Sequence, residues 1–211
     1  MENTVSKNKM ITLTAALSAL VIVLGLPPLH LGLIPLGPAA SITIMHVPVL
    51  LAFILLAKFA GLKSSMIVGA VFGIFSLINA AVNPAGPLDP LFVNPGVSVL
   101  PRILFAIIGW ILWNVLNAIP FPSEAKTPAK LILAAIVGFV TTLVHTALVI
   151  GSLYIFTASK VAEAFGGAGY LAMMGILLPN ALIEAGSAAF VCFAIVTATT
   201  ISSKMKAKLT R

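Results

Sequence analysis

"LILAAIVGFVTTLVHTALVIGSLYIF" runs from Leu131 to Phe156 without one Asp, Glu, Lys or Arg. About 20 apolar residues in a helix cross the hydrocarbon core of a bilayer, so this run is long enough to span it. Its Leu, Ile, Val and Ala do not alternate with polar residues, as the strands of a membrane barrel require. Further apolar runs flank it on both sides, and together they predict spans at residues 11–26, 42–59, 63–83, 98–119, 128–157 and 171–203. The first is short for a span and the last two are long, which predicts tilt or kinks. Of the 211 residues 60% are hydrophobic and only 8% are charged. That is too little charge to coat a soluble domain of this size. The expected fold class is therefore an all-α membrane protein, with six transmembrane helices bundled into a single domain over residues 1–211.

Two local features invite other readings. Lys7 and Lys9 precede the first apolar run, as in a signal peptide. No small-x-small cleavage site follows in "VIVLGLPPLH", so the run is read as a transmembrane helix. Cys192 is the single cysteine and sits in an apolar run, which predicts neither a disulfide nor a metal.

The formal net charge is +7, and its placement sets the orientation. With six spans and the N-terminus inside, Lys7, Lys9, Lys58, Lys63, Lys126, Lys130, Lys204, Lys206, Lys208 and Arg211 all fall on the cytoplasmic side. Lys160 alone falls in an outer loop, while Arg102 sits in or at the rim of a span. This positive-inside pattern places both termini in the cytoplasm. The tail "SKMKAKLTR" then meets anionic lipid head groups, and no nucleic-acid partner is expected. The outer loops "PPLHLGLIPLGPAAS" and "NPAGPLDPLFVNPG" are rich in Pro and Gly yet carry Leu, Ile and Phe. Such loops suit ordered lids over a site, or else a resting place at the lipid interface.

Polar groups inside a membrane are costly, so their positions are informative. His46 is near the outer end of the second span, where a Pro-Gly loop leads into it and Pro48 fits the first helical turn. Asn79 and Asn83 sit one turn apart at the outer end of the third span, and Arg102 near the outer start of the fourth. His145 is in the outer half of the fifth, and Asn180 and Glu184 share a face of the sixth, close to Pro179. All fall toward one side, which describes a polar cup above a drier floor. A channel wants a polar lining through its full depth. A proton-coupled transporter usually shows inverted repeats, and none is visible here. A cup beneath lids is the chemistry of a binding protein for a small polar molecule. Each residue also has a plainer reading. Arg102 can snorkel to head groups, Glu184 can neutralise Arg102 or His145, and the asparagines can cap a helix or bond across helices.

Small residues mark close helix approaches. Ala15 and Ala19 form an Ala-x-x-x-Ala step on the first span, and Gly69, Gly73, Ser76 and Ala80 form a stripe on the third. Both patterns serve internal packing or a partner surface. No G-x-x-x-x-G-K-[ST] loop is present, so any ATP hydrolysis belongs to other chains. A rival reading of another class is an intramembrane metal-dependent hydrolase using His46, His145 and Glu184. It lacks a local H-E-x-x-H signature.

"PLGPAASITIMHVPV", "GAVFGIFSLINAAVNP" and "LPRILFAIIGW", together with the Ala-x-x-x-Ala step, resemble the substrate-binding S component of an energy-coupling factor (ECF) vitamin transporter over essentially the whole chain. The resemblance implies a bacterial plasma-membrane protein that is not an enzyme. It would capture a water-soluble vitamin from outside and dock through Ala15 and Ala19 onto a transmembrane coupling protein carrying two cytoplasmic ATPases. No cofactor is then bound by this chain, and ATP and Mg are used by the partners. Riboflavin members carry an acidic segment where this chain has "SITIMHVP", and the version here is more similar to pantothenate, pyridoxine or hydroxymethylpyrimidine members. Arg102 suits a carboxylate, since a guanidinium offers a planar fork of donors. The expected ligand is therefore pantothenate, held by His46, Asn79, Asn83, Arg102, His145, Asn180 and Glu184.

Overall fold

A computed structural model describes residues 6–26, 33–37, 40–56, 58–84, 89–164, 167 and 169–209, with the side chains of 33–37, 40–43, 204 and 206–208 outside the description. Residues 27–32 and 85–88 of the two expected lids, and the side chains of the tail lysines Lys204, Lys206 and Lys208, thus lie outside the described residues.

The elements run in the order α1 (Lys7–Gly25), β1 (Leu33–Gly37), β2 (Ala40–Thr43), α2 (Val47–Leu55), α3 (Lys58–Val82), a 3-10 turn (Asp89–Val93), α4 (Pro95–Ser98), α5 (Leu100–Asn117), α6 (Lys126–Ala164) and α7 (Tyr170–Leu209). The helical reading holds, with one correction. The first Pro-Gly loop contains an antiparallel hairpin, in which Leu33 pairs with Thr43 and Ile34 with Ile42. The register is disturbed between Pro35 and Gly37, where proline has no N–H to give the ladder.

Five helices are long and apolar enough to cross a membrane: α1, α3, α4–α5 taken together, α6 and α7. The expected second span at 42–59 does not meet that test. Its first residues belong to β2, and α2 has 9 residues, a rise of about 14 Å against a hydrocarbon core of about 30 Å. Every residue from Val47 to Ile54 is buried. An apolar run reads the same whether lipid or protein surrounds it, and here protein does. The short helix is central: it touches α1, α3, α5, α6 and α7.

Close contacts fix the helix directions. Thr14 of α1 meets Ser64 of α3 at 2.7 Å, and a Cβ on Gly25 would strike Phe75. Thus α1 and α3 run parallel, and the chain returns between them through α2. A Cβ on Gly69 would come within 2.7 Å of the Arg102 carbonyl oxygen, and one on Gly73 within 2.6 Å of Val99 Cα. The glycine stripe therefore lets α3 and α5 touch backbone to backbone. Ala15 and Ala19 instead face outward, while α1 packs inward through Thr14, Leu17, Val21 and Gly25.

The outer faces of the long helices are apolar, with Leu171 82% and Phe190 71% exposed. Such a surface suits lipid and not water. The expected irregularity of the long spans takes two forms. In α6 the backbone leaves helical geometry at Thr157 (φ −140°, ψ 27°), and α7 carries Pro179 within its length.

Candidate binding cavity

The site begins with the turn into α2. His46 is the N-cap of α2, with Pro48 in the first turn, where a missing N–H costs nothing. Its ring is 1% exposed, and Nε2 lies 3.0 Å from Thr142 Oγ1 on α6. The Thr142 hydroxyl gives its one proton to the Gly138 carbonyl at 2.8 Å. His46 Nε2–H must therefore be the donor to Thr142 Oγ1, which leaves Nδ1 as the ring's acceptor in the neutral form.

One turn along α6, the His145 ring stacks on His46 with centroids 5.9 Å apart and planes at 24°. Phe105 at 4.9 Å and Phe72 at 5.8 Å complete its surroundings. His145 Nε2 is buried and has no hydrogen-bond partner among the described residues.

Arg102 occupies the first turn of α5, 6% exposed. Its Nη1 donates to the Val97 carbonyl at 2.8 Å, and its guanidinium carbon lies 5.3 Å from both the Phe72 and Phe92 ring centres. Two aromatic faces and one carbonyl compensate part of the cost of burying the cation. The clamp is built locally. Asn94 Oδ1 caps α4 by accepting from Gly96 N–H at 2.8 Å, and the Ser98 hydroxyl donates to the Phe92 carbonyl. Gly69 lets α5 approach α3 closely enough to set Arg102 over Phe72. Among the described residues Arg102 Nε has no partner, and no carboxylate pairs with the guanidinium. Opposite, on α7, Asn180 Nδ2 donates to Glu184 Oε1 at 3.3 Å.

These groups share one cavity of about 290 Å³. His46, Arg102, His145, Asn180 and Glu184 all line it, with Phe72, Phe92 and Ser76 between them. Asn79 and Asn83 do not. They lie farther along α3 toward its end, where Asn83 Nδ2 donates to Asn79 Oδ1 at 3.4 Å, and Asn83 is exposed. Of the two readings open for them, the geometry fits a helix-end pair. The β2 strand packs against α7 and leads directly toward Met45 and His46 of the cavity wall.

Sequence reasoning missed the aromatic clamp and Thr142. Phenylalanine is common in this chain, which has 12, so no single ring stands out. Thr142 did leave a signal, since it precedes His145 by three residues and so shares its helix face.

The metal-hydrolase reading needs three converging ligands. Among the described residues no three of His, Cys, Asp or Glu form such a group. A family model described as ECF transporter, substrate-specific component, matches residues 9–196. The chain belongs to that family. The match runs from the start of α1 to within α7, so it includes every wall of the cavity. No curated protein matches the chain. Substrate-specific components are transport subunits that work with a membrane module of ATPases, and the apolar helices place this member in a membrane.

Proposed function

We propose that the chain captures pantothenate from outside a bacterial cell and delivers it through an ATP-driven partner complex. The supporting observation is Arg102. Among the described residues it is a buried cation with neither an Nε partner nor a carboxylate partner, and it lines a cavity with His145 Nε2, which has none either. A buried charge left open in this way is compensated by an anionic ligand. The carboxylate of pantothenate would meet Arg102 and His145, while its hydroxyl and amide groups reach His46, Asn180 and Glu184. At about 290 Å³ the cavity sits at the small end of ligand pockets, which range over about 300–1,000 Å³.

In this reading α2 and the hairpin form a sixth, shortened crossing, because α1 and α3 run parallel. Both termini then face the cytoplasm with the lysines of α1, α3 and α6, as the positive-inside rule requires. The outward Ala15 and Ala19 meet the transmembrane coupling protein. Two ATPase subunits hydrolyse ATP with Mg, and this chain holds no cofactor.

Thermal stabilisation against a vitamin panel tests the ligand. Pantothenate should raise the melting temperature. A shift from pyridoxine or hydroxymethylpyrimidine without one from pantothenate overturns the substrate and keeps the class. Ala15→Leu should leave that shift intact and abolish co-purification with the coupling protein. Normal complex yield removes α1 as the docking face.

A further inference from the structure

A second cavity lies at the opposite end of the bundle, between the start of α1, the end of α2, the start of α6 and the end of α7. It measures about 360 Å³. Its floor is apolar, made by Leu13, Ile54, Leu55 and Val196. Its rim carries two cations, Lys9 and Lys130, both exposed and neither in an ion pair among the described residues. Three hydroxyls, those of Thr199, Thr200 and Ser203, complete the lining.

The hydroxyls are restricted in what they can do. Thr199 and Thr200 both donate to the Val196 carbonyl, at 3.0 and 2.7 Å, and Ser203 donates to the Thr200 carbonyl at 2.8 Å. Each has therefore spent its only proton, which leaves its oxygen as an acceptor. An anion in this groove draws its hydrogen bonds from the lysines, and the hydroxyl oxygens call for donors on the same ligand. A phosphate beside free hydroxyls, with an apolar tail for the floor, meets all three demands. The groove also opens where helices with lipid-facing sides reach their lysine-bearing ends, which is the depth of a head group.

We infer that this groove binds one anionic phospholipid with a hydroxyl-bearing head group, of the phosphatidylglycerol type. The phosphate sits between Lys9 and Lys130, the glycerol hydroxyls donate to Thr199, Thr200 and Ser203, and an acyl chain covers Leu13, Ile54 and Val196. Neither lysine lines the vitamin cavity, so the site is independent of the vitamin reading.

Native mass spectrometry of the detergent-purified chain with added lipid tests this. Phosphatidylglycerol should be retained at one per chain, phosphatidylcholine should not, and phosphatidate should be held more weakly because it lacks head-group hydroxyls. The double variant Lys9→Gln, Lys130→Gln should retain roughly tenfold less phosphatidylglycerol. Lys63→Gln is an exposed lysine on α3 outside the groove and should retain as much as the parent. Thermal melting of each variant checks that it folds. The inference is overturned by equal retention of phosphatidylcholine, by equal loss in Lys63→Gln, or by displacement of the lipid with millimolar glycerol phosphate, which marks a free-phosphate site. A groove reserved for a partner protein holds no lipid in the isolated chain, and that result overturns it too. Phosphatidate held as tightly as phosphatidylglycerol removes the head-group assignment.

Discussion

The two ends of this bundle treat polar groups in opposite ways. Near the starts of α1 and α3, the groups buried between helices are mutually satisfied. Thr14 Oγ1 donates to the Met10 carbonyl at 2.7 Å, so Ser64 must donate to Thr14 across the 2.7 Å gap between them. Ser65 donates to Leu62, and Trp110 Nε1 donates to the Lys58 carbonyl at 2.8 Å, where the backbone turns through a left-handed conformation (φ 45°). Around Arg102 the reverse holds: Arg102 Nε and His145 Nε2 are buried and have no partner among the described residues. A protein that only needed to stand in a membrane would satisfy both ends, because an open buried valence costs about 1–3 kcal/mol. Under the proposed function, the first is a scaffold end and the second a binding end.

The largest test of that contrast is Arg102→Met. Removing a buried unpaired cation in favour of an apolar side chain should raise the melting temperature of the ligand-free protein while abolishing the pantothenate shift. Binding should weaken about thirtyfold or more, since truncating a buried charge partner costs about 2–5 kcal/mol. A fall in ligand-free stability would make Arg102 a structural residue and erase the contrast. Arg102→Lys sharpens it: the ammonium lacks the planar fork and should recover only part of the affinity.

Gly69→Val should come next. Its Cβ would sit 2.7 Å from the Arg102 carbonyl, forcing α5 from α3 and displacing the guanidinium. A loss of about 1–3 kcal/mol is expected from overpacking, read by thermal melting together with weaker pantothenate binding by calorimetry. Unchanged binding would show that the position of α5 does not set the site.

Thr142→Val removes the acceptor of His46 Nε2–H and keeps the shape. Pantothenate affinity should fall about tenfold, with a stability loss of about 1 kcal/mol or more from the orphaned donor. Full affinity would mean that His46 holds the wall without touching ligand.

The smallest effect should be at the scaffold end. Ser64→Ala and Thr14→Val, made singly and together, should give a coupling energy of about 1 kcal/mol in a double-mutant cycle and leave ligand binding unchanged. Altered binding there would join the two ends that the structure keeps separate.

The long helices were readable because hydrocarbon-length apolar runs have few other uses. At residues 42–59 the same signal predicted a full-length span where α2 is short and buried, since burial in protein and burial in lipid select the same residues. The hairpin went unread because its strands are short and interrupted by Pro35 and Gly37. At the site, rarity was a good guide: isolated His, Arg and Glu in apolar runs do converge on one cavity. Asn79 and Asn83, expected at a similar depth, lie outside the lining of that cavity. Depth in a span is legible from residue number, but the place where a cavity ends depends on which neighbours surround it.

By itself, the amino-acid sequence determined the membrane class and the ionisable side chains that had to be sheltered. These follow from transfer costs that act residue by residue. The tertiary structure decided that α2 is a buried core helix, that Phe72 and Phe92 clamp Arg102, and that His46 spends its proton on Thr142. Those outcomes depend on contacts between residues far apart in the chain, and such pairings exist only once the helices have packed.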